Sequence, residues 1–392
     1  MVAGYCAKEY AENGGKAGDL AIVSSDGALP YERPPLSKGF LAGKDDEKGV
    51  LINDSEFYRA HDVELKLNTR VSSLDPERKR LRTESGEELQ FEKLILAPGA
   101  QVRTMDVPGA SPDNVLYLRS LADSKKIRDR STTAKKALVV GGGFIAMEVA
   151  SVLAGRGIET TMLVRDARIG KALFTPEMAA FFEQYYADRG VQFVKETEIA
   201  AIEKNSVARL KNGNTVDFDL LVAGIGVQAV TGLAAEAGLK VNNGIVVNEF
   251  LETDSPSILA AGDAANYPDQ LFNKRRRVEH WDNAVSQGQH IARSLLGRQE
   301  AFLHVPYFFS DIFDLSYEFW GDFSAADRIV HRGDLTTSSF SVWWLSDSRL
   351  VAAFTMNRPD EEREAAPELI RSRRILSPER LRQGPSVHDA AS

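Results

Sequence analysis

The chain has 392 residues, enough for two or three domains, a net charge of -8 and a single cysteine, Cys6. The acidic balance argues against nucleic acid as a partner, and one cysteine excludes both an internal disulfide and a redox-active cysteine pair. No apolar run reaches the roughly 18 residues of a membrane span, and the first residues lack a signal-peptide pattern, so a cytoplasmic protein is expected, with no metal site.

Residues 1–26 read as the second half of a nucleotide-binding unit. Ala3 and Gly4 open a helical pattern, and the apolar run LAIVSS follows and leads to Asp26. Asp26 lies about 23 residues beyond Ala3, where a ribose-binding acid belongs. The first strand and the first two glycines of such a unit would precede Met1, so a truncated version of a longer protein is expected. PYERPPLSKGFL (30–41) comes next, and then KLILAPG (93–99), an apolar run closed by Gly99.

KALVVGGGFIAMEVASVLAGRG (136–157) carries the strongest local signal. A strand ends at Val140, and Gly141, Gly143 and Ala146 fit the pattern G-x-G-x-x-G/A before a helix. The first glycine permits the tight turn, the second lets backbone approach a pyrophosphate, and the third small residue lets helix pack on strand. The helix start offers free N–H groups and the positive end of its dipole. The next strand, TTMLV, ends at Val164 about 20 residues on, followed by Arg165 and Asp166. Asp166 suits the ribose of NADH, whereas Arg165 or Arg168 suits the 2′-phosphate of NADPH, and the sequence leaves the choice open.

LLVAGIG (220–226), with Gly224 and Gly226, and SILAAGD (257–263), with Gly262 and Asp263, complete the set of apolar strands that finish at Gly or Asp. Strands of this kind with helices between them mean parallel sheets, here two such systems. The carboxylate of Asp263 falls at the carboxyl edge of a sheet, where ligands bind, although Asp also caps helices. From about Val305 the pattern turns antiparallel, in YFFSDIFDLSYEFWG (307–321) and SFSVWWLSDSRLVAAFT (339–355). The tail after about Ser377 is polar and is expected to be poorly ordered.

Two nucleotide-binding units, the first split by the second, with a small C-terminal domain, resemble the FAD-dependent pyridine-nucleotide reductases. Within them the chain is most similar to monodehydroascorbate reductases and to ferredoxin and rubredoxin reductases. The resemblance covers roughly residues 1–355. It implies an α/β fold with two Rossmann-like domains, the first lacking its N-terminal strand, and a C-terminal α+β domain. The expected boundaries are 1–107 with 239–304 for FAD, 108–238 for NAD(P), 305–377 for the C-terminal domain and 378–392 for a disordered tail. It also implies that Arg33, Pro34 and Lys38 lie along FAD, with Lys38 near the reactive end of the ring. There a cation stabilises negative charge on a reduced flavin. Gly99 would return to FAD, with Gly224 and Gly226 as counterparts in the NAD(P) unit; the family more often has Thr where this chain has Pro98. Asp263 would bond the ribityl chain, Glu279, His280 and Trp281 would lie under the flavin, and Glu148 would sit near the meeting of nicotinamide and flavin.

LFTPEMAAFFEQYYADRGVQF (173–193) and PYFFSDIFDLSYEFWGD (306–322) tilt toward the monodehydroascorbate branch. There Tyr307 and Arg277 are candidates for binding a small-molecule radical acceptor. The expected activity is hydride transfer from NADH or NADPH to FAD, then electron transfer to that acceptor, by a monomer or homodimer. A second reading is a reductase of a small iron–sulfur protein, docked on the basic run Lys274–Arg277. A third is a flavin-free chain that only binds a nucleotide or a partner. The missing cysteine pair removes glutathione-reductase chemistry.

Overall fold

The computed structural model describes residues 1–390. They fall into two compact units: residues 1–32, 47–101 and 228–308 form one, and residues 33–46, 102–227 and 309 onward form the other.

The second unit is built on a parallel sheet in the order Gln192–Lys195, Glu159–Val164, Lys136–Val140, Leu220–Ala223. Its two central strands are buried along almost their whole length, and their runs of Val, Leu, Met and Thr suit strands covered on both faces. Helix Phe144–Gly155 follows the first of them. Helix Pro176–Ala187 starts on Thr175, whose side chain accepts from Met178 N, with Pro176 in the first turn.

Apart from residues 307 and 308, the same unit holds an antiparallel sheet in the order Tyr307–Ile312, Leu315–Gly321, Arg349–Met356, Ser339–Ser346, Arg328–Asp334. This sheet, with helix Asp360–Ser372 packed on it, is the expected C-terminal α+β domain. Phe174 stacks on Phe182 at 4.5 Å between centroids, and Phe182 meets Tyr317 at 5.4 Å and Phe354 at 6.4 Å. Such rings bury large apolar areas, and here they weld the antiparallel sheet to the helix of the nucleotide fold.

The tail from 378 to 390, expected to be disordered, is ordered. Helix Pro378–Gln383 begins on Ser377, whose side chain accepts from Arg380 N. Leu381, Val387 and Ala390 are fully buried. The guanidinium of the buried Arg332 donates to the carbonyls of Leu381 and Gly384. The polar composition hid three apolar anchors and one buried cation that binds the tail's backbone. Residues 391 and 392 lie outside the described residues.

Residues 33–46, expected with the first unit, belong to the second. Phe40 and Leu41 are fully buried there. Arg128 lies 4.5 Å over the Phe40 ring, and Ser124 Oγ donates to Leu36 O at 2.6 Å.

In the first unit, strand Ala21–Val23 pairs in parallel with Glu64–Lys66, and Leu94–Leu96 with Ile258–Ala260. Helix Val2–Glu12 packs on helix Trp281–Leu295. Gly288 makes the close approach possible, since a Cβ there would lie 2.7 Å from Val2 O. Val2, Cys6, Leu96, Ile258 and Ile291 share this core. Burial pushes the Cys6 thiol up to about 12, so it stays protonated and inert.

Candidate nucleotide and electron-transfer site

In the second unit, Gly141 leaves the sheet with φ +128°, and a Cβ there would lie 2.3 Å from Gly224 O. Only glycine fits on both counts. Gly143 is the N-cap of helix Phe144–Gly155, no side chain caps that helix, and a Cβ on Gly143 would meet nothing within 4 Å. Ala146 is buried, and a Cβ on Gly224 would lie 3.2 Å from Ala146 N. The first turn of the helix, without a side-chain cap, therefore adjoins open space, a cradle that fits a dinucleotide pyrophosphate. Gly226 lies just beyond, its carbonyl accepting from Arg103 N at 2.9 Å.

Glu148 sits one turn into this helix with only 3% of its surface exposed. Its carboxylate accepts from Lys38 Nζ at 2.7 Å, from Ser310 Oγ at 2.5 Å and from Ser37 Oγ. Lys38 also lies 5.1 Å from the centroid of the Phe309 ring. A buried carboxylate is costly unless paired and hydrogen-bonded, and here one cation and two hydroxyls answer it. The sequence reading proposed Lys38 and Glu148 separately, and the fold brings them together. It did not find Ser37 and Ser310, single hydroxyls in unremarkable runs. Arg33, whose Nη1 donates to Arg119 O at 2.8 Å, and Pro34, which opens a 3-10 turn, hold the segment that presents Lys38.

Beyond strand Glu159–Val164, Val164 is buried, while Arg165 and Asp166 begin a loop. Asp166 accepts from Lys171 Nζ at 2.6 Å, and Lys171 draws its carboxyl below the usual range.

In the first unit, Asp26 follows the strand as expected, accepting from Tyr31 Oη at 2.8 Å and from Ala28 N at 3.1 Å. Ala3 and Gly4 lie in helix Val2–Glu12, and a Cβ on Gly4 would come 2.8 Å from Pro30 Cβ, so Gly4 serves close packing. Gly99 has its carbonyl bonded to Val230 N. Gly262 adopts φ +72° and donates its N–H to Gln287 Oε1 at 2.7 Å, which presents the buried Asp263 in a tight 3-10 turn. Gln287 Nε2 is buried with no hydrogen-bond partner among the described residues, a donor left over at this turn. A carboxylate beyond the first strand, a Gly-Asp turn and an unanswered buried donor fit the polar parts of FAD.

Trp281 Nε1 donates to one oxygen of Glu32, and Tyr5 Oη donates to the other. Glu32 was not singled out from the sequence, although it stands inside the run PYERPP. His280 precedes helix Trp281–Leu295, and burial pushes its pKa down to about 4, so it is neutral near pH 7 and packs at 4.9 Å on Phe308. Arg277 Nη1 donates to Asp263 O at 2.9 Å and to Glu279. Tyr307 is half-buried. Among the described residues no cluster of acids, His or Cys suits a metal ion, and no helix is long and apolar enough to cross a membrane.

A fold with two nucleotide-binding units, one with a complete glycine fingerprint, defines a dinucleotide-dependent oxidoreductase class. Residues 2–288 match the family described as pyridine nucleotide-disulphide oxidoreductase, and residues 307–387 match the reductase C-terminal family. A peroxisomal monodehydroascorbate reductase 2 of rice is 35% identical, over 95% of this chain and 83% of its own. The crystal structure of a covalent putidaredoxin reductase–putidaredoxin complex superposes with TM-score 0.93 at 31% identity, covering 98% of this chain and 94% of that one. A ferredoxin reductase from Rhodopseudomonas palustris does so with TM-score 0.92 at 30% identity, covering 100% and 98%. The chain belongs to the pyridine nucleotide-disulphide oxidoreductase family and is an FAD-dependent NAD(P)H oxidoreductase.

Proposed function

We propose that the chain passes electrons from NAD(P)H to a small-molecule radical of the monodehydroascorbate type. The observation that carries this reading is the fate of the basic run 274–277. Arg275 donates to the carbonyls of Val247 at 2.5 Å and Asn266 at 2.6 Å. Arg276 pairs with the buried Asp269 at 3.1 Å, and Arg277 with Glu279. Three of the four cations expected to form a docking face for an acidic protein are spent on the chain's own backbone and acids. The likeness to the rice enzyme points the same way.

In this reading Gly141, Gly143, Ala146 and the uncapped helix start hold the pyrophosphate of NAD(P)H, with Gly224 and Gly226 shaping the turn. Asp26, Gly99, Asp263, Glu279, His280 and Trp281 hold FAD, which when bound supplies hydride acceptance and one-electron release. Glu148, locked by Ser37 and Ser310, fixes the ammonium of Lys38 where it offsets developing negative charge. Tyr307 orients the acceptor, while Arg277, spent on Asp263 O and Glu279, braces the turn that carries Asp263. No side chain is asked to act as acid or base, so positioning and charge compensation carry the rate.

A second reading, a small acidic iron–sulfur protein as acceptor, draws on another observation. Arg371, Arg373, Arg374, Arg380 and Arg382 are all exposed within one short segment, and such a face steers acidic partners. The two separate in one experiment: NAD(P)H oxidation with enzymatically generated monodehydroascorbate, and with a plant-type ferredoxin, each over a range of salt. Turnover of the radical with weak salt dependence is expected. Turnover of ferredoxin alone, falling steeply with salt, overturns the first reading.

A further inference from the structure

We infer that the nucleotide site of the second unit takes NADPH in preference to NADH, with Arg165 as the specificity-determining residue. The inference rests on the reading of the Gly141 loop as the dinucleotide site and deepens it. An NADH site needs a free carboxylate at the end of the second strand, to accept from the adenosine ribose. That strand ends here on Val164, an apolar residue with 1% of its surface exposed. The nearest carboxylate, Asp166, is already engaged by Lys171 Nζ at 2.6 Å and lies 3.8 Å from Arg165 Nη2.

Two of the cations around it are largely exposed. The side chain of Arg165 is 73% exposed, its 3.8 Å contact with Asp166 is too long for a hydrogen bond, and its guanidinium is open to a ligand. Lys171 is 72% exposed. Arg168 and Lys195 share one carboxylate, that of Glu183, at 2.5 and 3.0 Å. Arg165 also acts on Glu198, which Lys211 holds at 2.6 Å, so five cations face three carboxylates and the surplus charge is positive.

The loop is also in the right place. Gly170 N donates to Gly142 O at 2.8 Å, so the segment carrying these cations lies directly on the glycine fingerprint. A Cβ on Gly142 would touch Val164 Cγ1 at 2.9 Å and approach the Ile169 backbone at 3.5 Å. A ribose held beside this turn meets guanidinium and ammonium, not a free carboxylate. A ribose hydroxyl gains little from them, whereas a 2′-phosphate gains charge-assisted bonds.

The test uses ligands that need neither flavin nor turnover: 2′-phospho-ADP-ribose and ADP-ribose, titrated calorimetrically into the purified full chain. The phosphorylated ligand is expected to bind at least tenfold tighter at low salt, and the ratio to shrink as salt rises. R165E is expected to cut the ratio to near one or below. As Arg165 is exposed, the melting temperature of R165E should match the parent's; if it does not, R165Q replaces it, with the same reduction expected. Equal binding of the two ligands, or tighter ADP-ribose, overturns the inference and leaves the dinucleotide site standing. Binding of neither overturns both.

Discussion

Two basic stretches of this chain look alike in sequence and differ in what answers their charge. In the run 274–277, guanidinium groups turn onto carbonyls and onto buried Asp269. In the loop 165–171, the side chains of Arg165 and Lys171 are 73% and 72% exposed. The first stretch stabilises its own hairpin, while the second stays available to a ligand. A cation's partner, not its place in a basic run, decides whether it is structural or functional.

The largest expected effect comes from the glycine that underlies the outward loop. Gly141→Ala combines a positive φ with a Cβ 2.3 Å from Gly224 O. It should cost on the order of 3 kcal/mol and abolish nucleotide binding, by thermal melt and calorimetry. Arg276→Ala takes the paired cation from the carboxylate of Asp269, of which 3% is exposed, leaves it the N–H donors of Leu271 and Phe272, and should cost about 3 kcal/mol in chemical denaturation. Arg165→Ala, by contrast, should leave stability within about 0.5 kcal/mol in the same assay. If Arg165 and Arg276 cost the same, the comparison fails.

Buried charge elsewhere sharpens it. Ser310→Ala removes one of three donors to Glu148 and should cost about 1–2 kcal/mol. The smallest effect is one of pH. His280 has a folded pKa of about 4 against the usual 6.5, because burial penalises the cation. The unfolded chain takes up the proton first as pH falls. The stability this neutral His contributes is therefore complete above about 6.5 and declines from there towards 4. His290 and His331, also depressed by burial, add the same sign. His280→Gln should flatten part of that decline in melts at pH 7, 6 and 5.

How much was legible in the sequence follows from how local each feature is. The six apolar runs read as strands all form strands, five of them shorter than the run and the one at TTMLV a residue longer. The Gly141 fingerprint is local too, since spacing along one strand, turn and helix sets its geometry. The Glu148 cluster gathers Ser37, Lys38 and Ser310 from segments more than 100 residues away, and no spacing rule announces a lone hydroxyl. The same holds for Glu32, which links Tyr5 to Trp281. The ordered tail was missed because composition weighs its many charges and not the buried Arg332 that receives it. The inward turn of Arg275–Arg277 was invisible because carbonyl acceptors leave no mark in a sequence.

The most direct test of the central claim is the visible absorption spectrum of the purified chain, recorded before and after anaerobic NADPH. Flavin bands that bleach on addition are predicted of an FAD-dependent NAD(P)H oxidoreductase. A protein that stays colourless when supplied with FAD, or whose flavin bands ignore both NADPH and NADH, would contradict it.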